Sequence, residues 1–199
     1  LITLISILIS INSYSQIEFG TTTEERDTGS KINSGKYQVL EKYVVLESKG
    51  TAAELYEKTI GWINETYNTP SEVIKGQVEG DYIRIEGSSS TPLFYYRALG
   101  TTRGYDGYRY SIEIRFKDGK ARFEPTKLEV YQAPNAAAYV AGGWFTVLFE
   151  SRIKNKKGKD DKAGIASSNA QKKYFSSLAA GLETYYKEGS SGGSADDDW

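Results

Sequence analysis

The chain has 199 residues, a formal net charge of −1 and a sequence pI near 5.7. It contains no Cys, His or Met, while 13 % of it is Phe, Trp or Tyr. Without Cys and His there is no thiol nucleophile, disulfide, His-based triad, Cys/His zinc site or imidazole switch, which leaves carboxylate, Lys, Tyr and Ser or Thr chemistry. No residue spacing singles out such a mechanism, and neither a metal nor a cofactor is expected. The length suits one domain with tails, and a folded part of about 150 residues buries roughly 68–70 % of its extended-chain surface, enough for a core without metal or disulfide support.

Leu1 to Ile11 is Leu and Ile broken only by Thr3, Ser6 and Ser10. A bilayer-spanning helix needs about 20 apolar residues, whereas the core of a secretory signal needs about 7–15. With small residues at Ser13 and Ser15, the stretch 1–15 reads as a signal peptide cut near Ser15/Gln16. Its start lacks a basic region and an initiator Met, as in a signal truncated at its beginning. The expected location is therefore secreted or periplasmic, with no transmembrane segment. The absence of Cys after the core argues against a lipid anchor.

Residues 16–35, with Thr21-Thr22-Thr23 and a charge cluster from Glu24 to Asp27, show no apolar period and read as a flexible leader. A single domain is expected over 36–187. Tyr37, Val39 and Tyr43 to Leu46 read as strand, ending at Lys49-Gly50. Thr51 and Glu54 form a capping box that opens a helix, whose apolar face is Leu55, Thr59, Trp62, Ile63 and Thr66; Pro70 stops it. Gly80-Asp81 reads as a two-residue hairpin between Val73–Val78 and Ile83–Ile85, and Leu93 to Leu99 is a third apolar run.

The clearest strand is Tyr108 to Phe116, where Tyr108, Tyr110, Ile112, Ile114 and Phe116 alternate with Arg109, Ser111, Glu113 and Arg115. One face is core and the other is wet. Asp118-Gly119 predicts a type I′ turn into a partner strand over Ala121 to Tyr131, in which Pro125 marks an edge or bulge. Tyr139 to Phe149 reads as a further hairpin around Gly142-Gly143. After a lysine-rich loop from Lys154 to Lys162, a second helix is expected over Ile165 to Lys187, buried along Ala170, Tyr174, Leu178, Leu182 and Tyr185. Residues 188–199 read as a flexible acidic tail ending in Asp196-Asp197-Asp198-Trp199. The predicted class is α+β: an antiparallel sheet with two helices packed on one face, in the order β-α-β-β-β-β-α.

Tyr43 to Gly87, with Glu54-Leu55-Tyr56-Glu57-Lys58 followed by Gly61-Trp62-Ile63-Asn64, then Ser111-Ile112-Glu113-Ile114 before Lys117-Asp118-Gly119-Lys120, resembles a family of secreted bacterial domains. It is the domain-of-unknown-function family numbered 4468, and the likeness covers roughly residues 36–131. The resemblance implies a TATA-binding-protein-like fold and no catalytic residues. Fold similarity to a DNA-binding protein does not imply nucleic-acid binding, and an acidic chain offers no overall basic field for it.

Among candidate sites, a two-carboxylate glycan hydrolase can draw on Asp81, Glu86, Asp106 and Glu113, which lie on or near neighbouring strands. Core packing accounts for many of the rings. Those in or beside Gly-rich segments offer flat faces for a partner, with Tyr95, Tyr105 and Trp144 the leading ligand-binding residues. The lysine-rich loop is a candidate for anionic surfaces, offset by Asp160 and Asp161. Asp196, Asp197, Asp198 and Trp199 form a candidate docking segment in which acid steers and the indole anchors. The resulting expectation is a non-enzymatic, secreted or periplasmic binding domain. Its partner is expected to be an envelope protein, a glycan or a small apolar ligand, and nucleic acid is not expected. A carboxylate-dependent glycan hydrolase and a lipid or small-ligand carrier are the alternatives.

Overall fold

A computed structural model describes residues 17–30, 33–134 and 141–189. The stretch 1–15 read as a signal peptide, Tyr139 and Val140 at the start of the stretch read as a hairpin, and the segment Asp196–Trp199 therefore lie outside the described residues.

The Thr51 capping box forms as its spacing predicts. The Thr51 hydroxyl accepts from the Glu54 N–H, and the Glu54 carboxylate accepts from the Thr51 N–H at 2.7 Å. A third acceptor comes from far along the chain, since Asp118 Oδ1 takes the Ala52 N–H at 2.9 Å. Helix α1 runs Ala52–Thr66 and buries Leu55, Tyr56, Thr59, Trp62 and Ile63. It ends at Tyr67 in extended backbone, and Pro70 opens a single turn, α2 (Pro70–Val73).

The main sheet has six strands, all antiparallel: β3 (Val44–Glu47), β4 (Ile74–Val78), β5 (Tyr82–Ser89), β8 (Gly107–Lys117), β9 (Lys120–Gln132) and β10 (Gly143–Val147). Its order is β10-β9-β8-β5-β4, with β3 also on β9. The long β9 pairs β3 through residues 120–123 and β10 through 128–132. Pro125 sits in the interval between them, opposite the bulge at Ser111/Ile112, where its missing N–H costs no ladder bond. Tyr110, Ile112, Ile114 and Phe123 face the helices in a buried core.

Two further sheets accompany it. One is β1 (Thr21–Arg26), β2 (Gly35–Leu40) and β11 (Glu150–Asn155) in that order; the other is the hairpin of β6 (Tyr95–Ala98) and β7 (Thr101–Gly104). Helix α3 (Lys162–Glu188) ties these to the main sheet. Its Phe175 makes edge-to-face ring contacts with Tyr110 of β8, with Phe149 before β11 and with Phe19 ahead of β1.

Several expectations are corrected. Among the described residues, eleven strands in three sheets replace the single sheet and its shorter order. The leader contains β1, and Phe19 is fully buried with its N–H bonded to Ser176 Oγ at 2.9 Å. The buried stripe of α3 is rotated by about one residue, to Gln171, Phe175, Ala179, Leu182 and Tyr186, and the helix begins three residues earlier at Lys162. Serines account for the rotation: Ser167, Ser168 and Ser176 are buried and bonded to β6, β2 and the Phe19 backbone.

The turns differ as well. Val78 pairs Tyr82, leaving a three-residue loop around Gly80. Only Gly119 has positive φ in the Asp118-Gly119 turn, which excludes type I′ there. That turn type's paired positive φ occurs instead at Leu99-Gly100, between β6 and β7. Strand β10 pairs β9 and does not form a hairpin of its own.

Candidate functional site: the uncovered face of the main sheet

Alternation along β8 and β9 sends Arg109, Glu113, Arg115, Arg122, Glu124 and Glu129 to the face opposite the helices. Hairpin register then decides who meets whom. Arg115 lies opposite Arg122 and Glu113 opposite Glu124, so like charges share rungs, an arrangement that is unfavourable unless neighbours compensate. Compensation comes from a residue two positions away on the same strand and from a neighbouring strand or loop. Glu113 accepts from Arg115 at 2.7 Å and from Arg84 at 3.2 Å; Glu124 pairs Arg122 at 3.0 Å and Lys42 at 3.3 Å; Glu129 pairs Lys127 at 3.0 Å and Arg109. Each of the three carboxylates thus serves two cations.

The consequences are electrostatic. For Glu129 the Arg109 hydrogen bond is the largest influence, and it holds the carboxyl below its ordinary range against the opposing effect of burial. For Glu113 burial is the largest single influence and pushes upward, but hydrogen bonds from Arg115 and Arg84 together outweigh it and the net shift is down. Neither is poised to donate a proton near neutrality.

Aromatic rings complete this face. Trp144 is 42 % exposed, with the Arg109 guanidinium 4.4 Å from its ring and the Tyr131 ring tilted against it at 5.3 Å. Tyr43 lies by Arg122 at 5.3 Å and Tyr82 by Arg115 at 5.7 Å. Such pairs hold the guanidinium planes in place while leaving ring edges open to a partner. At one end of the face Arg115, Lys117, Lys120 and Arg122 surround a cleft of about 310 Å³, walled by Tyr43 and Val45 and bordered by Asp81.

A second concavity, of about 510 Å³, opens where β5 continues beyond β4. Three tyrosine hydroxyls converge there: Tyr110 lies 3.2 Å from Tyr67 and 3.1 Å from Tyr174. Burial raises the pKa of all three, that of Tyr67 to about 12, so they act as neutral hydrogen-bonding groups. Gly87 makes room for them, since a Cβ there would fall 2.4 Å from the Tyr110 hydroxyl.

The residues singled out from the sequence do not form one site. Tyr95 is half-buried on β6, its N–H bonded to Ser167 Oγ at 2.8 Å, and it lines a separate cavity of about 370 Å³ at the start of α3. Tyr105 is half-buried, its ring tilted against that of Tyr96 at 4.8 Å and packed beside Phe94. Trp144 alone of the three stands on the uncovered face. Asp106, just ahead of β8, accepts the N–H of Ala133 just beyond β9 at 2.8 Å, and Lys154 and Lys156 of the lysine-rich loop pair Asp160 and Asp27 at 3.0 Å. The arginines of the uncovered face were visible as the polar half of an alternating strand, but nothing local marks their partners. The tyrosine trio joins three distant segments and has no spacing to betray it.

No helix among the described residues is long and apolar enough to cross a membrane. No family model matches the sequence, and no curated protein matches it. Among solved structures the chain resembles a DUF4468 family protein from Bacteroides ovatus ATCC 8483, at 14 % identity and a TM-score of 0.45, over 72 % of this chain and 86 % of that one.

Proposed function

We propose that this chain is a non-enzymatic binding domain, secreted or periplasmic, that engages its partner through the uncovered face of its main sheet. One observation carries the reading: guanidinium groups on that face are held against the rings of Trp144, Tyr43 and Tyr82, while the helices pack on the opposite side. Flat rings next to fixed cationic planes suit a glycan or an envelope protein. The apolar run Leu1–Ile11 supports export. Leaving aside the β6-β7 hairpin, the β1-β2-β11 sheet, α2 and β10, the remaining elements run β3-α1-β4-β5-β8-β9-α3, which supports reading this part of the chain as TATA-binding-protein-like.

The hydrolase alternative is weakened by Glu113, whose two oxygens are both engaged by arginines. Trp144→Ala and Glu113→Gln separate the two readings. Envelope glycans and acidic polysaccharides are titrated against the protein and both variants, with binding read calorimetrically and cleavage by product analysis. Loss of binding in Trp144→Ala with an unchanged melting curve is the expected result. Cleavage that disappears in Glu113→Gln, or binding indifferent to Trp144, would overturn the proposal.

A further inference from the structure

We infer that the cationic cleft at the end of the uncovered face receives the chain's own acidic segment, Asp196-Asp197-Asp198-Trp199, brought round the β3 edge of the sheet. The inference rests on the reading of that face as a binding surface and names one occupant for it.

Charge comes first. Arg115 opposes Arg122 and Lys117 opposes Lys120, so four cations occupy two rungs of the same face, on either side of the Phe116–Ala121 rung whose side chains point the other way. Their compensation is thin. Glu113 and Glu124 are each shared with a further cation outside the cleft, Arg84 and Lys42. Among the described residues neither Lys117 nor Lys120 has an ion pair, and the buried Nε of Arg122 has no hydrogen-bond partner. Asp81 in the cleft and Glu47, paired across from Lys120, are the bordering acids. Three further carboxylates would bring this end close to balance, and like-charged rungs gain most from such an occupant. The wall matches the rest of the segment: Tyr43 and Val45 are exposed hydrophobic residues beside the four cations, a surface for an indole.

Position comes second. Helix α3 ends at Glu188 with Gly189 as its cap, and Lys58 Nζ holds the Tyr186 carbonyl at 2.9 Å. That last turn shares a surface hollow with Glu47, Ser48 and Lys49, at the end of β3. Strand β3 pairs only β9, so a chain leaving Gly189 reaches the opposite face by passing one strand edge. The path is about 15 Å, from a helix layer about 10 Å from the sheet plus one strand spacing of about 4.8 Å. Between Gly189 and Asp196 the sequence is Ser-Ser-Gly-Gly-Ser-Ala, without charge or bulk. Seven such steps have a typical end-to-end distance of about 13–16 Å and a limit of roughly 23–25 Å. Tethering at that length gives an effective concentration in the millimolar range, enough for a few weak ion pairs to populate the docked form.

The chain has no Cys, which allows clean spin labelling. Labels at Ala195→Cys and Glu79→Cys in the full chain report their separation by pulsed electron resonance. At low salt a narrow short-distance population is expected. Lys117→Gln with Lys120→Gln, which removes no ion pair of the described fold, should shift the docked-to-free ratio by about 2- to 30-fold. Asp196→Asn, Asp197→Asn and Asp198→Asn together, or half-molar salt, should abolish the population. A broad distribution indifferent to these changes would overturn the inference, as would a short distance seen only between separately labelled copies. Neither result bears on Trp144-dependent binding, so failure here leaves the proposed function to its own test.

Discussion

Replacing Glu113 by Gln removes a charge from beneath two arginines without changing the shape of the side chain. The carboxylate is 12 % exposed, and Arg115 and Arg84 are about half exposed. Hydrogen bonds involving a charged group contribute about 1.5–3 kcal/mol when sheltered, and exposed ion pairs only about 0.2–1 kcal/mol. This pair of contacts lies between those limits. Gln keeps one acceptor, and relief of repulsion from Glu124 on the same rung returns a few tenths of a kcal/mol. The net cost is therefore about 1–2 kcal/mol at pH 7, or roughly 2–8 °C in Tm for a chain of this size.

The pH dependence follows from the direction of the shift. Glu113 titrates lower in the folded state than in the unfolded chain, so its contribution is fully present above the unfolded value of about 4.3 and is lost as pH falls through the lower folded value. Urea unfolding of both proteins at pH 7, 5, 4 and 3 checks this. The variant should be less stable by the same amount at pH 7 and 5, and the difference should shrink below about pH 4.3 as the native carboxylate protonates. A difference that stays constant down to pH 3, or a variant as stable as the parent at pH 7, would refute the account of this face as a set of compensated like-charge rungs.

Thr51→Ala should cost about 1 kcal/mol in urea unfolding, because it leaves the Glu54 N–H without its acceptor. Asp118→Ala should destabilise independently, by about 0.5–2 kcal/mol, since it uncaps Ala52 from another part of the chain. Leu99→Asn should raise stability by about 0.5–1 kcal/mol in thermal melts: Leu99 has φ +49 and is 96 % exposed, so it bears left-handed strain without burial in return. Gly87→Ala should lower stability by about 1–3 kcal/mol and change the near-ultraviolet tyrosine dichroism, because its Cβ displaces the Tyr110 ring. Tyr110→Phe, which keeps the ring, should perturb less in both measurements.

The parts that followed from sequence are those whose cause is local. A capping box of four residues and the strict alternation of Tyr108 to Phe116 each carry their own explanation, and both are present. Strand β1 was invisible because Thr-Thr-Thr-Glu-Glu-Arg is solvated on both faces, leaving no alternation to read; its place comes from pairing with β2. The face of α3 misled for the opposite reason. Buried serines look polar in sequence, and only the fold reveals the backbone and side-chain partners that let them be buried. The uncovered face was half readable: alternation marks Arg109, Glu113 and Arg115 as outward, but the opposition of Arg115 to Arg122 depends on the register of a hairpin. The aromatic rings offer composition without grouping: Tyr105 packs against Tyr96 and Tyr95 bonds to Ser167, both away from Trp144.

Strand β2 has a consequence in time. Its two neighbours are β1, adjacent in sequence, and β11, whose Asn155 pairs Gly35. Phe19, ahead of β1, is anchored by Ser176, 157 positions away. The first strands therefore lack their final ladder and ring contacts until β11 and most of α3 are in place. The α1 capping box and the β8-β9 hairpin need no such delay, so the main sheet can assemble around a gap that the two ends of the chain close together. Contacts of this span slow folding more than they raise stability. Deleting either Phe19 or the second half of α3 should accordingly leave the same gap open.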